Sequence, residues 1–290
     1  MCPVQTVNHL PGSYRQPPQP PAAAAPSPFG RVVNVSLDTR LGFDREDVIL
    51  NASETTPGRG VLRPEAIKVT ARRFVSSTVL RVESPLNRSA LLAVTVPRLY
   101  QTIHVSTPGQ PARTLQANGL GDLSLALEQR LPAFASGTNA SITTGLQLPT
   151  GRSPFNLGEG ELPTGEGFFQ PFLRVGLQKV RVPLQFYGTL EYQMAFARRI
   201  AGQRERLPDS YGGLVGFSYT TGPEFTAQTS LSLRRSSSPV RFSPGTHEGY
   251  LSQALSFRPG RRDVYQGSVD VGLTNDSLDY WLGFSFRRGL

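Results

Sequence analysis

One stretch, TNASITTGLQLPTG from Thr138 to Gly151, constrains the fold more than any other part of the chain. Ala140, Ile142, Thr144, Leu146 and Leu148 fall on one side of an extended backbone, and Asn139, Ser141, Thr143, Gly145 and Gln147 fall on the other. A side-chain period of two is that of a strand. Pro149 and Gly151 stop it, because proline cannot donate to a ladder and glycine tolerates the backbone of a tight turn. The result is a strand of roughly ten residues, apolar on one face and small and polar on the other, which is the length a tilted strand needs to cross a bilayer. Strands of soluble sandwiches are nearer about five or six residues.

The same alternation runs from Ala66 to the end of the chain. It recurs in Ala66–Glu83, Arg88–Val96, Gly121–Leu131, Phe168–Gln178, Val182–Phe196, Tyr211–Thr221, Glu224–Arg234, Gly249–Arg258, Asp263–Thr274 and Leu278–Arg287. With the opening strand this makes about eleven. Single-chain bacterial barrels have even counts, so the apolar pieces RVVNVSL and DVILNA within residues 31 to 52 supply a twelfth. Short connections at SPLN, QKVR, TTGP, RPGR and TNDS contrast with long ones near residues 99–119, 152–167, 198–210 and 236–247. The sequence therefore predicts an all-β, antiparallel up-and-down transmembrane barrel of about 12 strands. Residues 1–29, rich in proline and alanine, read as a disordered leader, residues 30–65 as an N-terminal segment holding a first strand or a plug, and 66–290 as the barrel.

Only 38% of residues are hydrophobic, and no window of eighteen is apolar throughout, so a helical span is excluded. A barrel is not, since half its residues face a polar lumen. The net charge of +9 raises nucleic acid as a partner, but the arginines are scattered and no stripe or aromatic platform accompanies them. No nucleic-acid partner is expected. Several arginines sit in pairs at strand ends, where they would meet lipid headgroups. Cys2 is the single cysteine, which rules out an internal disulfide. The N-terminus lacks a basic region followed by an apolar core, so an export signal is expected upstream of Met1. Tyr100, Phe168, Phe169, Tyr211, Tyr219, Tyr250, Tyr265, Tyr280 and Trp281 fall toward strand ends and read as interfacial girdles. A soluble sandwich is disfavoured because strands this long would expose wide apolar faces.

Signs of catalysis are weak. The three histidines, His9, His104 and His247, read as leader or loop residues, and with one cysteine they offer no metal-ligand spacing. Glu159 and Glu161 read as a solvated acidic loop tip. No enzyme activity, cofactor or metal is expected; a lipid-modifying barrel enzyme, the remaining catalytic option, would need His104 or His247. The stronger signal is the inward face, where Asp122, Glu128, Arg130, Arg174, Glu191, Glu224, Arg234, Asp270 and Arg287 alternate with lipid-facing residues and read as pore-lining. That many charges need water or partners. A hydrated lumen gives a channel, whereas a cross-linked one gives a structural barrel.

Four blocks carry a resemblance. GLGDLSLALEQRL at Gly119–Leu131, GLQLPTG ending at Gly151, GLTNDSLDYWLGFSFRR at Gly272–Arg288 and VESPLNRSALLAVTVPRLYQ at Val82–Gln101 together resemble the outer-membrane barrel family labelled "MetA-pathway of phenol degradation". The resemblance covers roughly residues 66 to 288. It implies a porin-like channel or transporter in the outer membrane of a Gram-negative cell, with membrane lipid and a small-molecule solute, aromatic or hydrophobic, as partners. Gly289 and Leu290 follow the last strand where such barrels commonly finish on an aromatic residue.

Overall fold

The computed structural model describes residues 33–52, 65–109, 111–135, 137–200, 203–206, 208–222, 224–236, 246–260 and 262–289. The proline-rich leader and much of the connection after residue 236 lie outside them. The elements are β1 (Asn34–Ala52), β2 (Glu65–Pro85), β3 (Ala90–Ser106), β4 (Arg113–Leu120), β5 (Leu123–Ala135), β6 (Thr138–Leu148), β7 (Gln170–Arg181) and β8 (Leu184–Gln193). They continue with β9 (Arg198–Ile200), β10 (Gln203–Glu205), β11 (Ser210–Thr220), β12 (Phe225–Ser236), β13 (Thr246–Phe257), β14 (Asp263–Gly272) and β15 (Tyr280–Gly289).

These strands close into a twelve-position antiparallel barrel. β1 pairs with β15 on one side and with β2 on the other, which removes both sheet edges. β4 and β5 share one position, because both pair with β3: β4 along Arg98–Val105 and β5 along Ala90–Thr95. The break between them falls at Gly121 and Asp122, opposite Pro97, whose carbonyl accepts from Gly121 N at 2.8 Å. β9 and β10 form a separate small hairpin. Closure matters here because a bilayer offers no water to satisfy an open edge.

Alternation sorts the side chains as the sequence suggests. Leu37, Leu127, Leu173, Val175, Phe186, Val215, Leu231, Leu251, Leu282 and Phe284 are exposed on the outer wall. Ser36, Asp38, Arg40, Ser77, Thr143, Gln147, Gln193, Ser218, Ser252, Asp270 and Ser285 are buried inside. The interior is thus polar and the exterior apolar, the reverse of a soluble protein and the arrangement a lipid solvent imposes. The small apolar core that does exist, Val75, Leu278 and Trp281 with Leu99 and Tyr250, lies within the barrel near one rim.

The two ends of the barrel differ. The end that carries Asn34 and Gly289 has short turns, such as Leu86–Ser89, where Asn87 Oδ1 accepts from the amides of Ser89 and Ala90 at 2.8 and 2.7 Å. At another, Gly137 takes φ of 73° beside Val180 O, where a Cβ would stand only 2.7 Å away. The opposite end carries the longer connections. TNDS belongs to that end, between β14 and β15, so the two successive short turns in the sequence do not break the alternation. QKVR is the end of β7 rather than a turn, and Val182–Pro183 makes the connection to β8.

The sequence reading of residues 99–119 as one excursion is corrected. β3 runs on to Ser106 and returns as β4, because Ile103 and Leu115, and Leu99 and Gly119, continue the alternating ladder. β1, β2 and β3 are 19, 21 and 17 residues long, against 10 to 12 for β11 to β15. β1 pairs with β15 only as far as Phe43, so its remainder and its partners rise as a flap beyond the rim.

Candidate functional site

The lumen is built from the inward residues of all twelve positions, and its charges come mostly in pairs. Arg40 Nη1 donates to Asp270 Oδ2 at 2.7 Å, bridging β1 to β14 across β15. Glu83 accepts from Arg81 Nε at 2.7 Å and from Arg287 Nη2 at 2.5 Å, joining β2 to β15. Arg174 gives Nε and Nη2 to one oxygen of Glu191 at 3.0 and 2.7 Å. A charge taken from water is costly unless a partner stands beside it, so these pairs let the strands carry arginines inside. Higher up, Arg234 Nη2 donates to Ser210 Oγ at 2.9 Å and Gln193 Oε1 at 3.3 Å, while Gln193 also donates to Gln147 and Gln170. Gln170 in turn donates to Glu166. This amide belt crosses from β12 to the connection between β6 and β7.

That connection, residues 149–169, folds into the barrel mouth, and Asp122 holds it there. Asp122 Oδ1 accepts from Gly151 N at 2.9 Å, and Oδ2 accepts from Glu166 N at 2.7 Å and Gln147 Nε2 at 3.3 Å. Thr164 Oγ1 donates to Leu120 O at 2.7 Å and accepts from Arg152 N at 2.9 Å. Outside the mouth the loop zips onto β4, with Gln116 N to Gly160 O at 3.0 Å and Leu162 N to Gln116 O at 2.7 Å. Glu161 pairs with Arg152 at 2.8 Å. The Gly158 N–H first, and then Arg152, hold its carboxyl below the usual range. Leu162, Pro163 and Phe168 are buried by this fold, Phe168 to 2% exposure.

Below the loop lies a cavity of about 150 Å³. Val75, Val79, Pro97, Leu99, Phe172 and Trp281 give it apolar surface, Arg81, Arg174 and Glu128 give it charge, and Pro163 to Glu166 roof it. Two aromatic rings reach this space because their cross-strand partners are glycines. A Cβ on Gly42 would stand 2.8 Å from Trp281, and one on Gly145 would stand 2.2 Å from Phe172. A cavity of this size can admit a single aromatic ring. A second, smaller space of about 30 Å³ lies between Arg40, Asp270 and the serines 230, 252, 268 and 285.

Of the residues read from sequence as pore-lining, Asp122, Glu128 and Arg174 border the large cavity, Arg287, Glu191 and Asp270 take part in the pairs above, and Arg234 joins the amide belt. Arg130 lies 3.7 Å from Glu128 with half its side chain exposed. Asp122 is committed to the loop. Glu224 is exposed in the turn before β12, where its carbonyl accepts from Arg258 N at 2.7 Å. The girdle reading is corrected at three positions. Trp281 is 4% exposed and inside, Tyr250 is inside with its hydroxyl accepting from Leu278 N at 3.1 Å, and Phe168 is covered by the loop. Tyr100, Phe169, Tyr211, Tyr219, Tyr265 and Tyr280 are exposed. His104 and His247 lie in β3 and β13, not in loops, and both side chains are exposed. Sequence reasoning missed Arg40, Arg81 and Glu83, which alternate inward on β1 and β2. It also missed the roof, Pro163 to Glu166, for which a loop offers no period to read. Among the described residues no group of three or more acids, histidines or cysteines could hold a metal.

The fold and its lumen define a closed transmembrane-type barrel of twelve strands. The same fold occurs in the COG4313 outer membrane channel from Pseudomonas putida F1, which is 14% identical, has a TM-score of 0.61 and covers 94% of this chain and 100% of its own. The NanC porin is 11% identical with a TM-score of 0.48, covering 88% of this chain and 98% of that one. The toluene transporter TbuX of Ralstonia pickettii is 12% identical with a TM-score of 0.45, covering 91% and 90%. No protein-family model matches the sequence, and no curated protein does.

Proposed function

We propose that this chain is a passive channel of a Gram-negative outer membrane that admits small molecules, aromatic or hydrophobic ones among them. One observation carries the reading: a cavity of about 150 Å³ inside the barrel, part apolar and part charged, under a loop that narrows the mouth without filling the lumen. The long-loop end faces outward and the end with the termini faces the periplasm, as in other barrels of this kind. The likeness in fold to an outer membrane channel and the resemblance of Gly119–Leu131 and Gly272–Arg288 to the phenol-degradation barrel family support the same reading. Glu128 and Arg174, with Arg130, Glu191, Arg234, Asp270 and Arg287 around them, line the path and set its charge preference. Glu224 stands at its periplasmic lip, and Asp122 acts through the loop.

The second reading, a closed structural barrel, draws on the ion pairs and amide belt that cross the lumen. Planar-bilayer recording separates the two. Discrete conductance steps from heat-modifiable, folded protein are expected, and silent bilayers with such protein would leave only the structural barrel.

A further inference from the structure

Two guanidinium groups share one carboxylate inside this barrel. Glu83 accepts from Arg81 Nε at 2.7 Å and from Arg287 Nη2 at 2.5 Å, one bond to each of its oxygens. Arginine stays protonated at any ordinary pH, so two cations and one anion leave this group with a positive charge in excess. Among the described residues Nε is the only atom of the Arg81 side chain that donates, and both terminal nitrogens are left over. Arg174 likewise spends Nε and Nη2 on a single oxygen of Glu191 and keeps Nη1.

Arg81 and Arg174 border the same cavity, the space of about 150 Å³ under the loop, and are close enough to repel one another across it. The acids on that border are already engaged. Asp122 commits both oxygens to the loop, Glu166 accepts from Gln170, and Glu128 lies 3.7 Å from Arg130. Val75, Val79, Leu99, Phe172 and Trp281 give the same space its apolar and aromatic wall. Its volume suits a single aromatic ring. A plain hydrocarbon settling there would strip water from the two guanidinium groups and return nothing, whereas a carboxylate returns charge-assisted hydrogen bonds.

We infer that this cavity binds a small aromatic carboxylate, its ring against Phe172 and Trp281 and its carboxylate on Arg81 and Arg174. As the class of the transported solute this rests on the proposed channel; as a binding site it rests on the cavity alone.

Trp281 is the single tryptophan of the chain, so its fluorescence in the detergent-solubilised full chain reports occupancy without any transport. Benzoate should change that fluorescence saturably. Benzyl alcohol, benzylammonium and acetate should each bind at least about tenfold more weakly. Arg81→Gln should weaken benzoate by a similar factor and still fold, because Glu83 keeps Arg287. Arg288→Gln, at an exposed arginine paired with Asp263, should leave binding unchanged. Heat-modifiability shows separately that each variant is folded. Equal binding of benzyl alcohol, benzylammonium or acetate, or undiminished benzoate binding by folded Arg81→Gln, would overturn the assignment. Conducting bilayers from protein that gives no benzoate response would also overturn it and leave the channel, whereas silent bilayers from protein that binds benzoate would remove the channel and leave the site.

Discussion

The wall formed by β1 to β4 and the wall formed by β11 to β15 are written in the same two-residue alternation, yet they are finished differently. The first is tall, rises past the rim, and carries a loop folded back against its inner face. The second is short and lined by Ser218, Ser230, Ser252, Ser268 and Ser285, with Asp270 as its buried charge and Asp38 and Arg40 of β1 facing it. Val75, Val79 and Leu99 instead give the first wall an apolar surface, completed by Trp281 from the adjoining β15, and in the proposed channel this is what a solute would rest against.

The largest expected effect is on the ion pair that faces the serine-lined wall. Arg40→Leu leaves the buried Asp270 without its guanidinium and should cost about 3 to 5 kcal/mol in urea titrations of the protein refolded in vesicles. The same change at Arg174, which borders the larger cavity and pairs with Glu191, should cost only about 1 to 2 kcal/mol, because the Glu191 carboxylate is 17% exposed and water can reach it. Equal losses would mean that the two ion pairs are equally dry.

Next come substitutions on the outer face, where position around the barrel should not matter. Leu231→Arg and Leu127→Arg each place a cation in hydrocarbon and should each cost about 2 to 4 kcal/mol. Ala126→Arg, one residue from Leu127 but inward, should fold and change conductance instead. A comparable folding defect from Ala126→Arg would reverse the assignment of faces on β5.

The loop is a smaller lever on stability and a larger one on transport. Asp122→Ala strands the part-buried amides of Glu166 and Gly151, and should cost about 1 to 3 kcal/mol. Conductance should rise several-fold as the roof over the cavity loosens, with no such rise from Arg40→Leu. Unchanged conductance in folded Asp122→Ala would show that the loop does not narrow the path.

The smallest effect is on pH. The folded-state pKa of Glu161 is lowered, so the support it gives the loop is complete above the unfolded value of about 4.3 and fades as pH falls through the lower folded value. Protease cleavage within residues 152–167 should therefore stay flat from neutral pH down to that range and rise only below it. Glu161→Gln should flatten the acid rise. A step near neutral pH would point to another group.

The strands were legible because lipid outside and polar contacts inside force strict alternation, and β6 through β15 keep it with little interruption. Trp281 and Tyr250 were legible too, had parity outranked residue type. Trp281 shares its face with Gly283, Ser285 and Arg287, and Tyr250 shares its face with Glu248 and Ser252, so both had to point inward. Asp122 was not legible. It falls in step with Ser124 and Glu128, and nothing local shows that Gly151 and Glu166, 29 and 44 residues on, will claim its oxygens. The flap was hidden for a related reason: Pro97 and Gly121 look like strand ends when they are only the point at which β3 exchanges one partner for another.

The most direct measurement of the central claim, a water-filled passage on one face of alternating strands, is single-channel conductance of Ala126→Cys in a Cys2→Ser background before and after a water-soluble thiol reagent. The current should fall on modification of Ala126→Cys and stay unchanged for the neighbouring Leu127→Cys. No block at position 126 in conducting protein, or the same block at position 127, would contradict it.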